Sequence, residues 1–233
     1  MKVAGIVGGL GPESTHQYYR LIIDGYRARI RDGSYPHLLI DSVDLETVIR
    51  CMKRGELSEL ENYLLNSVTR LARAGADFAT IAANTPHVVF PALKARSPIP
   101  LISIVEVARD GATKAGMRRP GLFGSRFTMQ GRFFPDVFEP AGIALVVPTP
   151  DEQEFIHEKY MNELVLGEFR PETRAAIVAI ARRLIAEDRI DGVILGGTEL
   201  PLLIDATADI GVPLLDTTRL HVDAIVAAIL EPV

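Results

Sequence analysis

The apolar residues of this 233-residue chain gather in short unbroken runs, and that pattern constrains the fold more than any other feature. Val193-Ile194-Leu195 and Phe78-Ala79-Thr80-Ile81 are too short for helices, and as strands they would be buried on both faces. Strands are expected over 3–7, 38–43, 78–82, 101–104, 121–124, 144–147, 192–195 and 213–215. Between most of them lie longer segments, such as 57–74, 170–186 and 218–230, with apolar residues spaced three and four apart, as in amphipathic helices. Doubly buried strands joined by helices imply parallel sheets covered on each side. The class is therefore α/β.

Two stiff breaks divide the chain. One is Ser97-Pro98-Ile99-Pro100, the other Asp209-Ile210-Gly211-Val212-Pro213. They suggest a discontinuous first lobe, 1–98 plus 211–233, with a second lobe, 99–210, inserted. The expected architecture is two similar lobes, each a mostly parallel sheet flanked by helices, with a cleft between them.

Composition narrows the function classes. Hydrophobic residues make up 48% and charged residues 24%, enough apolar content for a packed core. The net charge of −5 is spread along the chain without a dominant basic face, which argues against nucleic acid as a partner. No apolar run approaches the ~20 residues that span a bilayer. The start, Met1-Lys2-Val3-Ala4-Gly5-Ile6, reads as a strand and lacks the shape of a signal peptide. The single cysteine, Cys51, excludes an intramolecular disulfide and a multi-cysteine metal site. A cytoplasmic protein with no membrane partner and no metal is expected.

Three motifs follow strands. The first is Gly8-Gly9-Leu10-Gly11-Pro12-Glu13-Ser14-Thr15. Its glycines allow a tight turn and close approach of a ligand, and Pro12 suits a helix start. It lacks the Gly-Lys-Ser/Thr of a phosphate loop and only partly fits a dinucleotide fingerprint. The second is Ala82-Ala83-Asn84-Thr85-Pro86-His87. Thr85 fits a helix cap with Pro86 at the first position; alternatively Thr85 and nearby N–H groups grip a substrate carboxylate. His87 would lie in the first helical turn, where the dipole disfavours its protonation. The third, Gly196-Gly197-Thr198-Glu199-Leu200-Pro201, mirrors the second, with Thr198 as cap and Glu199 favouring the helix start. Two such turns and a glycine loop together suit a small dicarboxylate. A further turn, Gly124-Ser125-Arg126-Phe127-Thr128-Met129, offers Ser125 and Thr128 hydroxyls, either as a cap or to a substrate.

In order and spacing, these motifs resemble the aspartate/glutamate racemase family across nearly the whole chain, with Asp151 to Gly167 adding to the likeness. The resemblance implies two α/β lobes, a homodimer, a small amino-acid or dicarboxylate substrate and inversion at its α-carbon without pyridoxal phosphate or any other cofactor. It implies substrate contacts from Gly9, Leu10, Asn84, Thr85, Ser125, Thr128 and Thr198. In the family, two thiols on opposite faces of the carbon remove and return the proton. Here Ala83 and Gly197 stand at the two cysteine positions, and neither side chain can accept a proton. Cys51 lies in an expected helix far from either motif and reads as a small core residue. Three functions stay open: an amino-acid racemase, a decarboxylase, lyase or related enzyme acting on an acidic substrate through His87 or Glu199, or a non-catalytic ligand-binding or regulatory protein.

Overall fold

The computed structural model describes residues 1–204 and 210–232. The elements run β1 (Ala4–Gly8), α1 (Pro12–Arg29), β2 (Leu38–Ser42), α2 (Leu45–Arg54), α3 (Leu57–Arg73), β3 (Phe78–Ile81), α4 (Phe90–Arg96), β4 (Leu101–Ile102), α5 (Ile104–Lys114), β5 (Gly121–Phe123), α6 (Arg126–Gln130), α7 (Pro135–Phe138), α8 (Pro150–Asn162), α9 (Pro171–Arg183), β6 (Val193–Leu195), α10 (Leu200–Leu203), β7 (Leu214–Asp216) and α11 (Thr217–Leu230). Short 3-10 turns at Thr85–Val89, Glu139–Ala141 and Leu164–Leu166 join some of them.

Helix limits follow local chemistry. Asp44 accepts from the N–H groups of Glu46 and Thr47 at 3.1 and 3.2 Å to start α2, and Gly55 ends it in a left-handed conformation. Thr149 and Glu152 form a reciprocal capping box at α8. Helix α9 stops at Arg183, short of the expected 186. The next turn, Leu184–Asp188, widens to a π-turn and closes on Arg189 at a φ of 54°.

Contacts divide the chain into two compact units, Met1–Ile104 with Thr218–Val233, and Val105–Thr217. In the first, all strands pair in parallel in the order β2-β1-β3-β4. Val48, Leu60, Leu64 and Val68 pack with Val7, Ala79 and Ile81 in one core cluster. Tyr18, Ile22 and Tyr26 of α1 pack with Ile6, Phe78 and, from α11, Val222, Ile225 and Val226 in another. The sheet is thus covered on both faces, and β1 is buried throughout. In the second unit β5-β6-β7 are parallel, and Phe123, Val193 and Leu195 pack against Ile156, Ile177, Val178 and Leu200.

The seams differ from the expected ones by a few residues. Leu101 and Ile102 pair with Ala79 and Thr80, so they extend the first sheet and are not part of the inserted segment. Leu214–Asp216 pairs with Val193–Leu195, so it closes the second sheet and not the first. Proline-rich breaks mark where a helix must stop, whereas sheet membership follows strand pairing. The expected ranges 99–210 and 211–233 include residues 205–209 and 233, and the expected second break begins at Asp209; these lie outside the described residues. The expected strand over 144–147 is only a single bridge, Gly121 to Val146, made by Leu122 N–H to Val146 O at 2.8 Å and Val146 N–H to Pro120 O at 3.0 Å.

Candidate active site

In open parallel sheets, ligands bind beyond the carboxyl ends of the strands. In the first unit those ends carry Gly8-Gly9, Ser42-Val43, Ala82-Ala83-Asn84 and Ser103. Gly9 holds a φ of +78°, and a Cβ there would lie 2.3 Å from the Val43 carbonyl oxygen, so only glycine fits. Its N–H donates to Thr15 Oγ1 at 2.8 Å, so this N–H already has a partner within the turn. Leu10 is buried in the core cluster with Val7 and Ala83. Ser14 Oγ donates to Ala82 O at 2.7 Å, tying the glycine turn to the end of β3.

Ala83 and Asn84 are buried at that strand end. The 3-10 turn Thr85–Val89 starts one residue before the expected cap, from Asn84, whose side chain does not cap it. Asn84 has helical torsions, φ −82° and ψ −53°, whereas a capping side chain reaches the N2 or N3 amide from an extended residue.

His87 lies in the expected first turn, and both ring nitrogens are engaged. Nδ1 is 2.9 Å from Ala83 O, and the Ile104 N–H donates to Nε2 at 3.3 Å. The backbone partners set the tautomer: Nδ1 carries the proton and Nε2 accepts. Burial, with the nearby His221 adding to it, lowers its pKa to about 3. The expected role of His87 as a proton-transfer group is therefore corrected. Its only lone pair is held by a backbone N–H, and the ring stacks on Phe90 at 4.8 Å.

Next to it lies a cluster that no sequence motif signalled. His221 of α11 is fully buried, with Tyr18 Oη 2.8 Å from Nδ1 and Thr80 Oγ1 2.6 Å from Nε2. Burial lowers its pKa to about 4. Its partners lie 203 and 141 residues away in sequence, which is why pattern reading missed it.

In the second unit the strand ends carry Ser125, Gly196-Gly197 and Thr217. Ser125 caps α6, accepting from the Thr128 N–H at 3.3 Å, with the two hydroxyls 3.3 Å apart. Of the two readings of this turn, the capping one is present. The Gly196 N–H donates to Phe123 O at 2.7 Å, and Thr217 Oγ1 donates to Leu195 O at 2.7 Å, so three strand ends are laced together.

Thr198 is not the cap of α10 either. Glu199 occupies that position with near-helical torsions, and Thr198 Oγ1 donates to Glu199 Oε2 at 2.9 Å. Tyr160 Oη of α8 donates to the same oxygen. Glu199 is 1% exposed and Tyr160 9%. Burial first, and the Glu199 charge and hydrogen bond next, push the Tyr160 phenol well above its usual pKa, so it stays protonated.

The Tyr160 ring explains Gly197. A Cβ at residue 197 would lie 2.5 Å from Tyr160 Cε2 and 2.9 Å from Oη. The position is a glycine because the ring fills the room a side chain would need, and its φ is outside the left-handed region. Tyr160 is visible in the stretch that resembles the family, but its partner Glu199 is 39 residues on.

Cys51 is buried in α2 within the core cluster, and burial raises its thiol pKa, the opposite of what a thiolate base needs. Its Sγ and the carboxylates of Glu56 and Glu59 come within 4.8 Å of one another, the one such grouping among the described residues. Arg54 and Arg50 face these carboxylates at 3.8 and 3.7 Å.

Comparison with known proteins gives the family and the fold. The chain is 23% identical over 224 residues to the broad specificity amino-acid racemase RacX of Bacillus subtilis (strain 168), covering 92% of each chain. Among solved structures it resembles an aspartate racemase homologue from Pyrococcus horikoshii OT3, at 32% identity and a TM-score of 0.85, covering 99% of this chain and 100% of that one. It shares the fold of the Picrophilus torridus aspartate racemase, at 21% identity and a TM-score of 0.78, covering 98% and 94%. The family profile of the Asp/Glu/hydantoin racemases matches residues 7–225. A chain with two parallel sheets, strand-end turns at these positions and a match of this extent belongs to the Asp/Glu/hydantoin racemase family.

Proposed function

We propose that this chain binds a small amino acid or dicarboxylate at the carboxyl ends of its strands, as an amino-acid racemase relative in which two-thiol racemisation does not operate. One observation carries the reading: Ala83 offers only a methyl group, and the place of a side chain at Gly197 is taken by the Tyr160 ring. Neither position can hold the thiolate that deprotonates an α-carbon. The names of the relatives, with aspartate and broad amino-acid specificity among them, support an amino-acid ligand.

The proposed ligand contacts are the Gly9-Leu10, Asn84-Thr85, Ser125, Thr128 and Thr198 positions. The Ser125, Thr128 and Thr198 hydroxyls also serve local bonds. No cofactor is assigned. A cytoplasmic homodimer without nucleic-acid or membrane partners completes the proposal. The dimer follows the family resemblance, the dispersed charge of the sequence speaks against nucleic acid, and no described helix is long and apolar enough to cross a membrane. Sedimentation at micromolar concentration tests the dimer, which a monomer mass would refute.

A second reading, an enzyme acting on an acidic substrate through Glu199, is favoured by the buried contact of Glu199 with Tyr160. His87 drops out of that reading because both its nitrogens are bonded. Calorimetric titration with L- and D-aspartate, L- and D-glutamate and four- and five-carbon dicarboxylates tests the binding proposal. Saturable binding of at least one ligand, with no change in optical rotation over hours, is expected. Absence of binding across the panel, or inversion of any amino acid, would refute it.

A further inference from the structure

We propose that the open edge of the first sheet, strand β2, receives the β2 strand of a second copy of this chain about a two-fold axis at Ile40. The inference rests on the homodimer reading above and names the surface that such a dimer uses. Strand β2 ends the order β2-β1-β3-β4, so only one of its sides is paired within the sheet. His37 O accepts from the Ala4 N–H at 3.2 Å, and the Val43 N–H donates to Gly8 O at 3.0 Å, so the odd-numbered residues of this stretch face β1. Residues between them turn their N–H and C=O groups outward, and these are Leu38, Ile40 and Ser42. Among the described residues these outward groups meet no partner. Sheet edges are commonly blunted by lysine, proline or a bulge. Leu38-Leu39-Ile40-Asp41-Ser42 has none of these, its register with β1 is unbroken, and Ile40 is 41% exposed.

The edge is complementary to itself. In an antiparallel pairing, an axis at Ile40 sets Ile40 opposite Ile40 and Leu38 opposite Ser42, so each outward residue can exchange both of its backbone bonds. Two-fold pairing also closes, with no free edge left for a third copy. Helix α1 flanks the joint. Ile40 points to the α1 side: its Cγ2 and that of Thr15 are 3.4 and 2.7 Å from the place of a Cβ at Gly8. The register partner of Ile40 is Ile6, two residues before Gly8. At ~3.3 Å per strand residue and ~1.5 Å per helix residue, that step equals about four residues of α1. Ile40 is therefore level with Tyr19, one turn after Thr15 and 50% exposed. Antiparallel copies of α1 about that level place the Glu13 end of one beside the Arg27 end of the other, since Glu13 lies in the first turn and Arg27 in the last. Arg27 stacks over the Tyr35 ring at 5.3 Å and has no carboxylate partner among the described residues. Glu13 has His16 at 4.0 Å. These unlike charges and the opposed helix dipoles select a second copy of this chain over an unrelated strand.

The test uses the intact protein. Sedimentation at micromolar concentration is expected to give the mass of a dimer. Ile40→Lys sets like charges together on the axis and is expected to raise the dimer dissociation constant at least tenfold, with an unchanged circular dichroism spectrum. Tyr19→Glu is expected to do the same and carries the test if Ile40→Lys does not fold. Glu13→Arg is expected to weaken the dimer, and Arg27→Glu added to it to restore the parent affinity. A dimer that neither Ile40→Lys nor Tyr19→Glu weakens, or a charge exchange that restores nothing, would overturn this surface and leave the homodimer reading standing. Masses that climb past the dimer with concentration would overturn the closed pairing. A monomeric parent would overturn both this surface and the homodimer reading.

Discussion

Restoring the family's second thiol in this chain is expected to damage the protein. In Gly197→Cys the new Cβ would lie 2.5 Å from Tyr160 Cε2, well inside contact distance, before Sγ is counted. The ring is buried, so it cannot simply swing into solvent. Overpacking of this kind costs about 1–3 kcal/mol. Displacing the ring also breaks the phenol's bond to the buried Glu199, worth about 1.5–3 kcal/mol where a charged group is involved. Together they amount to about 3–5 kcal/mol, or on the order of 10 °C in melting temperature for a chain of this size. Thermal unfolding followed by circular dichroism reads it. A cycle with Tyr160→Ala isolates the cause, because the truncated side chain leaves room for the thiol. The double variant should be more stable than the sum of the single effects by at least about 1 kcal/mol. A melting temperature of Gly197→Cys within a degree of the parent, or a cycle additive to within about 0.5 kcal/mol, would refute the claim that the ring fills the slot.

Other outcomes come from the buried histidines and the turns. His87 and His221 are neutral when folded down to pKa values of about 3 and 4, but take up a proton near pH 6.5 when unfolded. The unfolded state thus binds more protons below that pH, so stability is full above it and falls as the pH drops. The loss is about 2 kcal/mol per histidine at pH 5, readable from urea midpoints at pH 8 and 5; either ring titrating near 6.5 in NMR would refute it. Ser125→Ala removes the α6 cap and should cost about 1 kcal/mol by denaturant titration, and an unchanged midpoint would show that the cap contributes nothing. Gly9→Ala, with its left-handed φ and a Cβ 2.3 Å from Val43 O, should lose more than about 3 kcal/mol or fail to express as folded protein; a soluble variant of parental stability would contradict the geometry.

The α/β class, most strand positions and the three strand-end motifs were readable in the sequence because each is a local property. Short β-branched apolar runs such as Val193-Ile194-Leu195, bounded by turn residues, read as buried strands, and glycine, proline and hydroxyl residues mark the turns after them. The absence of both family thiols was equally plain, since it needs only the identities of Ala83 and Gly197. Tertiary structure decided everything that depends on partners distant in the chain. It assigned Leu101–Ile102 and Leu214–Asp216 to their sheets by hydrogen bonding, and no local signal encodes strand pairing. It placed the Ala83 carbonyl and the Ile104 N–H on the two nitrogens of His87, which removes the base that a motif six residues long had suggested. It set Tyr160 beside Glu199 and into the space over Gly197, where the ring fills the room a side chain would need. Which atoms share a volume is a property of packing across the fold, and a one-dimensional pattern does not contain it.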